Sequence, residues 1–210
     1  MAFTKSYIIF SLAKVERKNK AMTENNNDIV DIVDIVDYRS IYQKAYSIVG
    51  DKTPLNTDCG ILCNKICCES EYADDDRGMF LFPEEERMYD DLPYWVELKP
   101  TEIEYAPGKN IILAVCNGKC DRERRPLACR IFPLAGVINT DNKLRIIMDI
   151  RGKSMCPIVF AMQVDEIDVS FVKSVTKALK YLSPYKKIME FLQYTDELIN
   201  EDQTISNMFM

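Results

Sequence analysis

The chain of 210 residues contains no histidine. That absence removes the imidazole general base, the imidazole metal ligand and the partner that activates a catalytic cysteine or serine. G-x-S-x-G, a phosphate-binding loop and a dinucleotide fingerprint are also missing. The sequence therefore displays no hydrolase, phosphoryl-transfer or hydride-transfer signature. No apolar run approaches the roughly 18–20 residues of a membrane span. Nor is there an excess of positive charge: 27 Lys and Arg stand against 33 Asp and Glu, for a net charge of −6. An acidic balance argues against nucleic acid or an anionic membrane as partner. No Cys-x-x-Cys pair of thioredoxin type occurs either, which weakens thiol–disulfide catalysis.

What the chain does have is eight cysteines, and they are bunched. The first group reads Cys59-Gly-Ile-Leu-Cys63-Asn-Lys-Ile-Cys67-Cys68. Cys116, Cys120 and Cys129 form the second, and Cys156 follows just before Pro157. With 47% apolar and 29% charged residues the chain has core enough to fold unaided, so the thiols are not needed as staples. Lys119, Arg122, Arg124, Arg125 and Arg130 crowd round the second group as a local basic patch.

Residues 1–27 are expected to be a flexible N-terminal extension, 28–200 a single cysteine-cluster domain and 201–210 a frayed tail. The short apolar stretch Tyr7–Ala13 runs straight into Lys14, Glu16, Arg17, Lys18 and Lys20 without a small-x-small cleavage site, and Met22 offers an alternative start. The expected compartment is cytoplasmic and reducing, where clustered cysteines bind metal more often than they pair.

The Asp-Ile-Val repeat from Asp28 to Val36 leads into apolar positions as far as Val49, predicting one amphipathic helix that ends near Gly50. A loop-rich stretch of weak helical character carries the first cysteines. A strand is expected at 78–82, a helix starting at Pro83-Glu84-Glu85-Glu86, and strands at Tyr94–Leu98, Ile103–Tyr105 and Ile111–Val115. Asn139-Thr-Asp-Asn-Lys143 signals a hairpin between Ala135–Ile138 and Leu144–Met148. Helices are expected at Pro157–Gln163, at Val169–Leu182, and from Ser183-Pro184 to about Ile199. The fold class is α+β: a small antiparallel sheet with flanking helices and a cysteine-rich metal-binding centre.

On a straight helix Cys59, Cys63 and Cys67 would share one stripe about 12 Å long. Zinc, with Zn–S of about 2.3 Å, needs its sulfurs roughly 3.8 Å apart. Cys59 and Cys67 could not then share an ion, and Cys68 would point about 100° away from Cys67. The backbone must bend, or the ligands must divide between sites or combine with the second group. Soft thiolates suit zinc, Cu(I) or an iron–sulfur cluster, and nearby arginines would favour the thiolate form.

Cys63-x3-Cys67-Cys68, then Phe80-Leu81-Phe82-Pro83-x-Glu85, then Cys116, Cys120, Arg125-Pro126, Cys129-Arg130 and Pro133, together resemble the YkgJ-type cysteine-cluster family. The resemblance spans Cys59 to Pro157. It implies a zinc- or iron-chelating domain with Cys63, Cys67, Cys68, Cys116, Cys120 and Cys129 as ligands; Cys59 and Cys156 join the candidate set on spacing and context. Where the family often has a tyrosine two residues after the cysteine matching Cys120, this chain has Arg122. Flagellin lysine methylases carry a related cluster, so such a domain can sit within an enzyme.

The expected function is metal binding, the cofactor being zinc or iron, as an ion or an iron–sulfur cluster, with no protein partner specified. Two alternatives stay open: a metal-dependent enzyme of methyl-transfer type, and an interaction module held together by its metal. Cys68 could instead be a core thiol. Arg125 and Arg130 are either anion contacts or structural arginines bonded to carbonyls or carboxylates. Glu84, Glu85 and Glu86 are read as helix-N-terminal carboxylates, Asp74-Asp75-Asp76 as a solvated loop and Trp95 as core.

Overall fold

Helix α1 covers Tyr38–Val49 in the computed structural model, which describes residues 36–67, 78–91, 93–117 and 120–208. Its buried face is Ile41, Tyr42, Ala45 and Val49, the i, i+3/i+4 spacing that brings one stripe to a core. Gly50 ends it as expected, at φ +61° with its N–H donated to the Tyr46 carbonyl at 2.8 Å. The expected start is not met: Val36 and Asp37 are not helical, and burial of this face begins only at Ile41. The rest of the Asp-Ile-Val repeat and the 1–27 extension lie outside the described residues.

Strands β1 (Gly78–Phe80), β2 (Val96–Ala106) and β3 (Lys109–Cys116) form an antiparallel sheet in the order β1-β3-β2. The two strands expected at Tyr94–Leu98 and Ile103–Tyr105 are one strand, with register shifts between Pro100 and Glu104 and between Glu104 and Ala106. Pro100 is tolerated because β2 is an edge strand. Thr101 Oγ1 donates to the Ile111 carbonyl at 2.8 Å and bridges the irregular stretch. Pro107-Gly108, with Gly108 at φ +70°, turns the chain into β3. The helix expected to start at Pro83 begins two residues later, as a 3-10 helix over Glu85–Tyr89, because Glu84 adopts φ +68°.

The second hairpin is as expected: β4 (Leu134–Ile138) pairs with β5 (Leu144–Met148), Ile138 opposite Leu144. Asn139 Oδ1 accepts the Lys143 N–H at 2.9 Å across the turn. Helix α5 occupies Val169–Leu182, its first turn capped by Asp168 Oδ1, which accepts the Phe171 N–H at 2.9 Å. Helix α6 runs Lys186–Met208, beyond the expected end near Ile199. α5 packs on α1, β4 and β5, and α6 on β4 and β2. A Cβ at Gly136 would stand 2.6 Å from Leu179 Cδ1, so a larger residue there requires the Leu179 side chain to shift.

Among the described residues are also the short α-helices α2 (Gly60–Cys63), α3 (Leu127–Ile131) and α4 (Pro157–Ala161). The architecture is α+β, small antiparallel sheets with flanking helices, and Tyr38–Met210 form one compact unit. Among the described residues no helix is long and apolar enough to cross a membrane.

Candidate metal centre

The first cysteine segment is a single turn followed by a bend. Asp58 Oδ1 accepts the Gly60 N–H at 3.0 Å and opens α2. The turn ends because Asn64 and Lys65 adopt left-handed backbone at φ 53° and 58°. Cys59 and Cys63 therefore share one turn, while Cys67 is redirected after the bend. The straight stripe, which could not have formed one site, does not exist.

The second group is placed by the sheet. Cys116 ends β3 opposite Val96, and the Asn117 N–H donates to the Trp95 carbonyl at 3.0 Å. Cys116 and Cys120 both pack against a small core of Leu81, Tyr89, Trp95, Val96 and Ala114. Trp95 is core, as the sequence suggests. Cys129 sits on α3, and Cys156 precedes α4, its own N–H bonded to the Gly152 carbonyl at 2.8 Å.

The two groups converge. One cavity of about 120 Å³ is lined by Cys59, Cys67, Cys116, Cys120 and Cys129, with Arg122, Arg125 and Arg130 on the same wall set. Met79, Trp95 and Phe132 supply apolar walls. Cys63 and Cys156 are outside the lining but electrically close. Burial pushes the Cys59 thiol up to about 11, and Cys67, Asp58, Cys63 and Cys156 add to the rise. Burial likewise pushes Cys129 up to about 12, against the pull of Arg125 and with further rise from Cys120, Glu85 and Cys67. Cys156 is raised by burial and lowered by the N–H groups of Val159 and Ile158. Cys67 thus acts on Cys59, Cys129 and Cys156, which only a shared neighbourhood allows. Among the described residues no three Cys, Asp or Glu side chains are grouped as ligands of one ion. Cys68, the Asp74–Asp76 loop and Lys119 lie outside the described residues.

The arginines divide their work. Arg122 Nη1 reaches Asp58 Oδ2 at 3.2 Å and ties the second cysteine segment to the first. Asp58 is held below the usual carboxylate range by the Gly60 N–H and, after it, by Arg122. Arg130 donates Nε to the Arg125 carbonyl at 2.8 Å and Nη2 to the Glu123 carbonyl, with its guanidinium 4.2 Å from the Tyr46 ring centroid. That is the carbonyl-bonded structural role. Arg125 differs: its Nε lies 3.1 Å from Cys120 Sγ.

Beneath the cavity sits a group that sequence reasoning undervalued. Glu85 is fully buried. Its Oε1 accepts from Tyr46 Oη at 2.6 Å and from the Leu127 N–H at 2.5 Å, and its Oε2 accepts from the Phe82 N–H at 3.0 Å. It is a helix-N-terminal carboxylate, but it serves α3, some 40 residues on, rather than the turn it belongs to. This carboxylate orients α3 and, through it, Cys129. The Phe-Pro-x-Glu pattern was the available signal; nothing in it says which backbone groups the carboxylate meets. Glu84, by contrast, pairs with Arg87 and Lys187. Compared with protein-family models, with curated proteins and with solved structures, the chain matches none.

Proposed function

We propose that this is a cytoplasmic metal-binding protein whose clustered cysteines hold zinc or an iron–sulfur cluster, and that its YkgJ-type pattern reflects the same chelating role. One observation carries the reading: five thiols from three separate segments line a single cavity. The donor set fits a soft metal, being thiol-rich and without imidazole. Cys59, Cys67, Cys116, Cys120 and Cys129 would hold it; Cys68 stays in the set by its position beside Cys67, and Cys63 and Cys156 flank it. Zinc would supply a structural cross-link between the segments, and an iron–sulfur cluster would add one-electron chemistry. Because burial keeps Cys59 and Cys129 protonated at neutral pH, loading must displace their protons and weakens as pH falls.

Anaerobic purification with metal analysis and an absorption spectrum tests this. A brown protein absorbing near ~400 nm indicates an iron–sulfur cluster, and a colourless zinc-containing one a zinc site. Metal-free protein with quantifiable disulfides overturns the reading. Cys129→Ser and Cys68→Ser are expected to lower metal content, and Cys156→Ser to retain it. Full metal in all three variants would show the ligand assignment to be wrong.

A metal-dependent enzyme of methyl-transfer type is the second reading, favoured by the apolar walls at Met79, Trp95 and Phe132 that continue from the thiols. It requires an exchangeable coordination position, read as a change in the cobalt-substituted spectrum when azide is added. A spectrum that azide leaves unchanged returns the choice to a closed structural site.

A further inference from the structure

We propose that Arg125 is the positioning residue of the cysteine centre, its Nε–H···Sγ hydrogen bond orienting the Cys120 sulfur for a metal. The inference rests on the metal-binding reading and specifies what it leaves open, which of the crowded arginines acts on a ligand. Arg122 is engaged with Asp58, Arg130 with the carbonyls of Arg125 and Glu123, and Arg124 with the Asp91 carbonyl at 2.7 Å. Arg125, by contrast, meets sulfur through its Nε–H, at 3.1 Å from Cys120 Sγ. Cys120 is one of the five thiols lining the cavity.

Three features make this a built arrangement. Pro126 follows directly and restricts the Arg125 backbone to extended conformations, observed at φ −60° and ψ 139°. The Arg125 carbonyl is held from the other side by Arg130 Nε. The guanidinium is planar with fixed N–H directions, so once the side chain is placed its Nε–H bond to sulfur has a set direction. A charge-assisted bond to a ligand sulfur stabilises the anion and leaves its other lone pairs for the metal. Lysine would keep the charge and lose the direction.

The experiment compares zinc affinity, by competition with a chromophoric chelator, in the wild type, Arg125→Gln, Arg125→Lys and Arg124→Gln. Arg124→Gln removes the same charge one residue away. Losing an outer partner of a ligand weakens metal binding by about 10–100-fold; that loss is expected for Arg125→Gln, a smaller one for Arg125→Lys, and none beyond about twofold for Arg124→Gln. The sulfur-to-metal charge-transfer band of the cobalt-substituted protein should shift in Arg125→Gln alone. Equal losses in Arg125→Gln and Arg124→Gln would reduce the effect to bulk charge and overturn the proposal, as would wild-type affinity in Arg125→Gln. Should the wild type bind no metal, the functional reading fails by itself. Arg125 is then judged on metal-free protein, by the iodoacetamide alkylation rate at Cys120 followed by peptide mass spectrometry. Slower alkylation in Arg125→Gln than in Arg124→Gln supports the hydrogen bond, and equal rates refute it.

Discussion

Glu85→Ala is expected to destabilise the protein by about 3–5 kcal/mol, since each buried donor left without an acceptor costs about 1–3 kcal/mol. The carboxylate is fully buried and accepts from Tyr46, Leu127 and Phe82, donors on three different segments. Alanine leaves two main-chain N–H groups and a phenol without their acceptor, in a space too enclosed for water to replace it freely. For a domain whose whole stability is of order 5–15 kcal/mol, this is close to the margin. The midpoint of urea denaturation measures it. A loss under about 1 kcal/mol would mean that the three donors find other acceptors cheaply.

The same carboxylate makes stability depend on pH. Burial pushes Glu85 up to about 7 from 4.5, against the hydrogen bonds from Tyr46, Leu127 and Phe82 and the nearby charge of Arg130. Tyr42 and Tyr89 also face it, from α1 and from its own 3-10 helix. Between about 4.5 and 7 the native state then binds a proton that the unfolded chain has released. Stability from this group is therefore fully present below 4.5 and falls as pH rises to about 7, by up to about 1.4 kcal/mol for each pH unit. Subtracting the Glu85→Gln curve from the wild-type curve isolates the effect, since the other carboxylates cancel. A flat difference would show that Glu85 is ionised throughout.

Phe171→Ala is expected to cost about 3–5 kcal/mol as well, for an unrelated reason. Phe171 has no exposed surface, and neither do Val175, Ala178, Leu179 and Leu182 along the same face of α5. Truncation opens a cavity between α5 and its neighbours that close-packed side chains cannot fill. The denaturant midpoint should fall with an unchanged slope. The two variants separate stability from site geometry: in native conditions Phe171→Ala should leave Cys129 as slow to alkylate as in the wild type. Glu85→Ala should speed it, because α3 loses its anchor. Equal alkylation rates at Cys129 in the two variants would dissociate Glu85 from the placement of α3.

Helix α5, the β4–β5 hairpin and the end of α1 were legible in the sequence because each is set by local chemistry. Asp168, the Asn139 turn and Gly50 mark their own boundaries through bonds within a few residues. The long β2 was not, since its continuity past Pro100 depends on β3 supplying Thr101 with the Ile111 carbonyl. Nor was the late start at Glu85, where Glu84 takes a left-handed backbone and Glu85 turns inward to meet α3.

By itself the sequence determined the fold class, the thiol-rich and histidine-free chemistry, and the impossibility of one site on a straight helix, because composition and local periodicity carry those facts. Only the tertiary structure decided that the chain bends after Cys63, that Cys59 and Cys67 meet Cys116, Cys120 and Cys129 at one cavity, and that Arg125 points at a sulfur. The cavity joins residues some 50–70 positions apart, and it is burial of the intervening core, not any local preference, that brings them within range of one another.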